Sequence, residues 1–166
     1  MTQKNKLPLR DSFDRKLTDL RISLIDQCNF RCSYCMPKEI FGKDYQFLSK
    51  KELLSFEEIK FLSNAFVNLG VEKLRLTGGE PLLRKNIPEL IYDLKKLKTL
   101  KGDNVEVTLT TNGFLLQQFT ASLKKSGLDR VTISLDALDE NIFQQMTGGK
   151  HSPKIVLSGI DAAIDE

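Results

Sequence analysis

Short stretches in which apolar and polar residues alternate are separated along this chain by longer stretches with apolar residues at helical spacing. The alternating stretches predict strands at 19–25, 73–79, 105–113 and 130–137. The helical spacing predicts helices at 56–70, 87–98, 115–127, 139–146 and 152–166. A regular β-then-α order is typical of a parallel sheet covered by helices, so the predicted fold class is α/β with four β–α units.

The predicted strands have one apolar face and one polar face, whereas parallel strands buried on both sides usually read as continuous apolar runs. The apolar face must pack on the helices, which leaves the polar face to water or to a ligand. One interpretation is a half-solvated sheet, and the other is a curved, barrel-like sheet whose polar face lines a cavity. Four such strands in succession favour the cavity. Its polar positions include Arg21, Lys73, Arg75, Thr110 and Ser134.

Three cysteines, Cys28, Cys32 and Cys35, follow the first predicted strand, and the chain has no others. This loop lies at the carboxyl end of the predicted sheet, where such folds bind ligands. Three thiolates can hold a four-iron cluster and leave one iron open to another ligand. Two alternatives remain, a zinc site with His151 as fourth ligand and a redox dithiol formed by Cys32 and Cys35.

Length and composition restrict the class of protein. The chain has 166 residues, which is typical of one domain, and a net charge of +3, too small a basic excess to indicate nucleic acid binding. No apolar run approaches the roughly eighteen residues of a membrane span, and the N-terminal residues lack the apolar region of a secretory signal. Clustered thiols indicate a reducing compartment, so we expect a cytoplasmic protein without nucleic acid or membrane partners.

The motifs resemble those of a known superfamily. The C-x3-C-x2-C spacing with Tyr34 before the last cysteine, followed by GGEP at 78–81, resembles the radical S-adenosylmethionine (SAM) enzymes. More narrowly, DLRISLIDQCNFRCSYCMPKE, LRLTGGEPLLR, LTTNG and ISLDA are similar to the GTP 3′,8-cyclases of molybdenum cofactor biosynthesis. The fold implied is a partial TIM-type (β/α) barrel with four of about six units. Residues 1–18 would be an N-terminal extension and residues 19–166 the radical SAM core domain, truncated at its C-terminus.

The resemblance also implies a reaction and a set of site residues. A 4Fe–4S cluster on the three cysteines would bind SAM and cleave it, and the 5′-deoxyadenosyl radical would abstract the ribose 3′ hydrogen of GTP so that C3′ bonds to C8. An ion pair with a carboxylate such as Glu106 is the alternative role for Arg21 and Arg75. The implied SAM contacts are Tyr34, Gly79 and Ser134, and the implied GTP contacts are Arg21, Arg75, Thr110 and Lys73.

The cyclases have a second three-cysteine cluster near their C-terminus, and this chain has no further cysteine. We therefore expect an N-terminal part that is inactive or impaired alone. The implied partners are GTP, SAM, an electron donor such as flavodoxin or ferredoxin, cyclic pyranopterin monophosphate synthase as the next enzyme, and a second copy in a homodimer. Two other functions remain open, namely another radical SAM enzyme of peptide-maturing or haem-pathway type and a non-enzymatic zinc or iron–sulfur module.

Overall fold

The fold is a four-stranded parallel sheet with helices, and the computed structural model describes residues 8–149 and 151–166. The strands lie in sequence order in the sheet and are β1 (Asp19–Ser23), β2 (Lys73–Thr77), β3 (Glu106–Thr111) and β4 (Arg130–Ile133). The helices are α1 (Phe56–Val67), α2 (Ile87–Leu94), α3 (Leu116–Lys125), α4 (Glu140–Thr147) and α5 (Pro153–Ile164). The predicted α/β class and the order of the four β–α units are confirmed.

Each strand is shorter than its alternating stretch, because the chain leaves the ladder to form loops at the carboxyl edge. Gly78 ends β2 with a φ of 142°, a backbone conformation that side chains disfavour. Ser134 lies beyond β4, although its N–H still donates to the Thr111 carbonyl at 2.9 Å. The last predicted strand residues therefore lie in the loops that surround the cysteines.

The apolar face of the sheet forms the core, as its alternation predicts. Leu74 and Leu76 of β2 and Val107 and Leu109 of β3 are fully buried. They belong to one cluster with the apolar residues of α2, which are Ile87, Leu90, Ile91 and Leu94. Burying side chains of this size stabilises the fold by about 1.5–3 kcal/mol each relative to exposure.

The strand register arranges the opposite, polar face in rows across the sheet. Nearest the carboxyl edge is a hydroxyl row in which Ser23 pairs with Thr77 and Thr110 with Thr132. Two residues below, Arg21, Arg75, Thr108 and Arg130 form a mostly cationic row. Asp19, Lys73 and Glu106 form the last row, where charges alternate in sign.

The described residues alone do not enclose the polar face in a cavity. β1 and β4 each pair with a single strand there, and Arg21 and Arg130 at the two edges are exposed. Four parallel strands in sequence order, each followed by a helix, form an open part of a (β/α) barrel, as the predicted partial TIM-type barrel requires, and such a sheet leaves two open edges.

The N-terminal segment runs beside the end of α1. Arg10 forms an antiparallel bridge with Lys16, and the Leu9 N–H donates to the Leu69 carbonyl at 2.7 Å. The prediction of an N-terminal extension also covers residues 1–7, which lie outside the described residues. None of the described helices combines the length and apolarity needed to span a bilayer.

Candidate functional site

The three cysteines lie in the loop after β1, at the carboxyl edge of the sheet. Cys28 and Cys32 are partly buried and Cys35 is exposed, and all three are free thiols. The N–H groups of Cys35 and Met36 both donate to the Cys32 carbonyl, at 3.0 and 2.8 Å. This turn holds Cys32 and Cys35 side by side on an accessible surface.

Arg31, between the first two cysteines, ties the loop together through its guanidinium. Its Nη1 donates to the carbonyls of Cys28 at 2.6 Å and Phe30 at 2.8 Å, and its Nε donates to the Phe41 carbonyl at 2.8 Å. The guanidinium therefore joins the cysteine loop to the following segment. Sequence reasoning assigned Arg31 no role, since an arginine in a loop gives no periodic signal.

The end of α4 supports the same loop. The Arg31 and Ser33 N–H groups donate to the Thr147 and Met146 carbonyls at 2.9 and 3.1 Å, which satisfies acceptors that a helix end leaves free. Gly148 follows with a φ of 65°, and a Cβ there would lie 2.2 Å from the Arg31 carbonyl oxygen. Gly148 and Gly149 thus form a turn after α4 that lies against the cysteine loop.

The GGEP loop after β2 packs directly against the segment that leads into Cys28. The Gly79 N–H donates to the Ile25 carbonyl at 2.7 Å, and the Glu80 N–H donates to the Gln27 carbonyl at 2.8 Å. A Cβ on Gly79 would lie 2.2 Å from the Gln27 carbonyl oxygen. Gly79 is therefore placed against the backbone of the cysteine loop.

Glu80 is a fully buried carboxylate that joins the GGEP loop to the end of β3. Its Oε1 accepts from the Leu82 N–H at 2.9 Å and the Thr111 hydroxyl at 2.8 Å, and its Oε2 accepts from the Asn112 N–H at 2.8 Å. Burial raises the pKa of Glu80, and the three hydrogen bonds oppose that shift. Sequence reasoning missed this residue, because its position in a loop does not reveal burial.

Two N–H groups point at the sulfur of Cys28. The Phe30 N–H lies 3.4 Å and the Asn112 Nδ2 3.7 Å from Sγ. Burial is the main cause that raises the pKa of the Cys28 and Cys32 thiols, and the charge of Cys28 raises that of Cys32 further. The thiols are thus within electrostatic reach of one another.

The described side chains show no arrangement around a single metal ion. Among residues 8–149 and 151–166, no group of three or more His, Cys, Asp or Glu side chains is arranged to hold one ion. The His151 ring instead packs against Phe30 and Phe114, with ring centres 5.4 and 4.7 Å apart. A tetrahedral zinc site draws its four ligands together around one ion, whereas a cubane cluster holds its thiolates farther apart.

Two polar atoms in the cysteine loop lack a hydrogen-bond partner. Asp26 Oδ1 and Asn29 Nδ2 are buried without a hydrogen-bond partner in the structure, and buried polar atoms normally have one. Both belong to the loop that carries Cys28. Three soft ligands together with two unpartnered polar atoms are compatible with an iron–sulfur cluster and a polar molecule beside it.

Tyr34 contacts the loop after β4 at the carboxyl edge of the sheet. The Tyr34 hydroxyl donates to Asp136 Oδ2 at 2.7 Å, and this hydrogen bond is the main cause that raises the pKa of Tyr34. Asp136 lies two residues after Ser134, so the loops after β1 and β4 are joined here. Gly79 lies in the loop after β2, which is between β1 and β4 in the sheet. The three expected SAM contacts therefore all lie on loops at the carboxyl edge.

The expected GTP contacts lie deeper on the polar face. Arg75 Nη2 forms an ion pair with Asp19 Oδ2 at 2.9 Å, which raises the pKa of Arg75, and Lys73 Nζ lies 3.3 Å from Glu106 Oε2. An ion pair with a carboxylate was the alternative role for Arg75, and Arg75 does form one, but its hydrogen-bonded partner is Asp19 and not Glu106. Arg21 is exposed and makes no ion pair with another described residue, and Thr110 is partly buried.

Curated relatives match most of this chain. A GTP 3′,8-cyclase of Staphylococcus epidermidis is 46% identical over 156 residues, which are 94% of this chain and 45% of the relative. A GTP 3′,8-cyclase of Acidothermus cellulolyticus is 50% identical over 156 residues, 94% of this chain and 42% of the relative. The chain thus spans less than half the length of these relatives.

Solved structures share the fold at low identity. HydG, a maturase of the FeFe hydrogenase, superposes with a TM-score of 0.68 at 18% identity, covering 89% of this chain and 32% of HydG. Streptococcus suis SuiB bound to S-adenosylmethionine superposes with a TM-score of 0.61 at 21% identity, covering 85% and 30%. The family model of the Radical SAM superfamily matches residues 22–166. Because that match spans most of its length, the chain belongs to the radical SAM superfamily.

Proposed function

We propose that this chain is the cluster-binding part of a GTP 3′,8-cyclase, an enzyme that joins C3′ of the ribose to C8 of the guanine in the first step of molybdenum cofactor biosynthesis. The observation that carries the proposal is one of placement. Three free thiols stand at the carboxyl edge of the sheet, and a cationic row lies two strand residues below the hydroxyl row on the polar face. The relatives named GTP 3′,8-cyclase support the choice of substrate.

In this proposal Cys28, Cys32 and Cys35 hold a 4Fe–4S cluster. When bound, that cluster supplies the electron that cleaves SAM. Tyr34, Gly79 and Ser134 contact SAM from the loops after β1, β2 and β4. The position of the GGEP loop supports this role, because two backbone hydrogen bonds join Gly79 and Glu80 to the segment that leads into Cys28.

The triphosphate of GTP is proposed to bind Arg21, Arg75 and Lys73, with Thr110 nearer the sugar. Guanidinium groups bind phosphate oxygens through two parallel hydrogen bonds, and lysine adds a point charge. Arg75 must exchange its contact with Asp19 for phosphate, and an exposed ion pair of this kind is weak enough to exchange. A strand rises about 3.3 Å per residue, so the cationic row lies roughly 7 Å below the hydroxyl row.

The remaining parts of the proposal concern the protein as a whole. Residues 19–166 form the radical SAM core domain, and a second cluster lies in sequence that the chain does not contain. An electron donor such as flavodoxin or ferredoxin, cyclic pyranopterin monophosphate synthase as the next enzyme, and a second copy in a homodimer are the proposed partners. The polar face of the described residues is open to water, so we expect the 166-residue chain alone to take up the cluster but not to cyclise GTP.

Anaerobic reconstitution with iron and sulfide tests the proposal. We expect about four irons per chain and a brown protein, and a Cys35→Ala variant that takes up no cluster, because two thiolates do not hold it. Ser33→Ala, an exchange in the same loop outside the ligand set, is the matched control and retains the iron. Stoichiometric zinc without iron, or a four-iron cluster in Cys35→Ala, would overturn the assignment. In the complete protein, reductive cleavage of SAM without any effect of GTP would favour another radical SAM enzyme.

A further inference from the structure

We infer that Asn112 is a positioning residue whose side-chain amide donates a hydrogen bond to the Cys28 sulfur and so raises the reduction potential of the cluster. The inference rests on the proposed function, since it assumes the cluster on Cys28. It assigns a role to the asparagine of the LTTNG stretch, which contacts neither expected substrate in the proposal above.

The orientation of the Asn112 amide is fixed by its neighbours. Its Oδ1 accepts from the Phe114 N–H at 3.0 Å, so the NH2 group must face the cysteine loop. There Nδ2 lies 2.8 Å from Asn29 Oδ1 and 3.7 Å from Cys28 Sγ, a distance suited to the larger sulfur atom. One amide proton is therefore used by Asn29 and the second is available to the sulfur.

The backbone of Asn112 is held as firmly as its side chain. Its N–H donates to Oε2 of the buried Glu80, and the Thr111 hydroxyl donates to Oε1. Glu80 in turn donates its own N–H to the Gln27 carbonyl, next to Cys28. The amide and the sulfur thus lie on two loops that hydrogen bonds join, and the Phe114 N–H holds the Asn112 side chain in its orientation.

A hydrogen bond to a cluster sulfur favours the reduced form, because reduction adds negative charge that the N–H dipole stabilises. The Phe30 N–H also lies near Cys28 Sγ, so removal of Asn112 alone should weaken this effect without abolishing it. We expect the equilibrium constant for one-electron reduction to fall about tenfold, which corresponds to about 59 mV.

Two variants distinguish the effect of the hydrogen bond to Cys28 Sγ from the effect of the turn that Asn112 forms. Asn112→Ser keeps an acceptor for the Phe114 N–H but is too short to reach Cys28 Sγ. Asn112→Asp also keeps that acceptor and replaces the donor with a negative charge, so its potential should fall further. Asn68→Ser is the matched control, because Asn68 is an exposed asparagine at the end of α1, remote in the fold from the cysteine loop.

The experiment is a potentiometric titration of the reconstituted chain, monitored by the electron paramagnetic resonance signal of the reduced cluster. Lower potentials for both Asn112 variants, with Asn68→Ser unchanged, support the inference. A cluster-loaded Asn112→Ser chain with the original potential overturns it and leaves the proposed function intact. A chain that binds no iron overturns the proposed function and this inference together.

A measurement on the unaltered chain tests the inference even if the variants fail to fold or to bind the cluster. With ¹⁵N introduced at asparagine side chains, pulsed paramagnetic resonance of the reduced cluster should detect a weak nitrogen coupling and an exchangeable proton. Absence of the asparagine coupling from a loaded, reduced cluster would overturn the inference without any substitution.

Discussion

Replacing Gly79 with alanine should destabilise the fold and disturb the cysteine loop. The added Cβ would lie 2.2 Å from the Gln27 carbonyl oxygen and 2.9 Å from that of Asp26, both of them backbone atoms that cannot rotate away. Overpacking of this kind costs about 1–3 kcal/mol. If the two loops separate, the hydrogen bonds from Gly79 to Ile25 and from Glu80 to Gln27 are lost, at about 1 kcal/mol each. We expect a total loss of about 3–5 kcal/mol.

Gly102→Ala is the matched control for this exchange. Gly102 has a φ of 88°, so alanine is strained there, but nothing lies within 4 Å of the added Cβ. The control therefore measures backbone strain of about 1 kcal/mol without a steric contact, whereas Gly79 has no positive φ and its cost would be steric. Urea unfolding followed by circular dichroism gives both free energies, and the iron content after reconstitution reports the loop. If Gly79→Ala costs no more than Gly102→Ala and still binds four irons, the close approach of the two loops is not what positions the thiols.

Two other exchanges test the polar face and the buried carboxylate. Arg75→Ala should weaken GTP binding roughly tenfold or more, measured by calorimetry on a full-length relative, because a charge-assisted phosphate contact is lost. Cleavage of SAM in the absence of GTP should survive the exchange. Loss of that cleavage with unchanged GTP affinity would reverse the assignment. Burial raises the pKa of Glu80 above its ordinary 4.5, so the native chain binds this proton more tightly than the unfolded chain does. The free energy of unfolding therefore falls as pH rises from below 4.5 through the native pKa, because the buried group becomes ionised. The free energy of unfolding of Glu80→Gln, relative to that of the original chain, should therefore increase with pH over that range in urea unfolding. A difference between the two that does not depend on pH would contradict a raised pKa for Glu80 in the native chain.

The sequence was sufficient to predict the sheet and its two faces, because the information is local. Alternation with a period of two assigns Leu74 and Leu76 to one side and Arg75 to the other without knowledge of any distant contact. The same logic located Cys28, Cys32 and Cys35 at the carboxyl edge. The strand ends were predicted less well, since Ser134 alternates like a strand residue but lies in a loop.

The support of the site could not be predicted, because it depends on contacts between residues far apart in sequence. Glu80 accepts from Asn112, which is 32 residues away, and Arg31 donates to the end of α4 through Thr147. Nothing in the local pattern distinguishes a buried glutamate in a loop from an exposed one. The one available signal was the asparagine–glycine pair at the end of β3, which predicts a turn but not what its side chain contacts.

The cysteine loop is therefore held by elements that carry no metal ligand themselves. Its backbone contacts the GGEP loop at Gly79, and the end of α4 at Thr147, while the LTTNG turn reaches it through the side chain of Asn112. Each contact restrains a different part of the loop, so a displacement of any one of them changes the distances among the three thiols. Because a cluster tolerates only small changes in the positions of its ligands, the glycines and the asparagine of these motifs should be constrained by the geometry of the thiols as well as by contact with SAM or GTP.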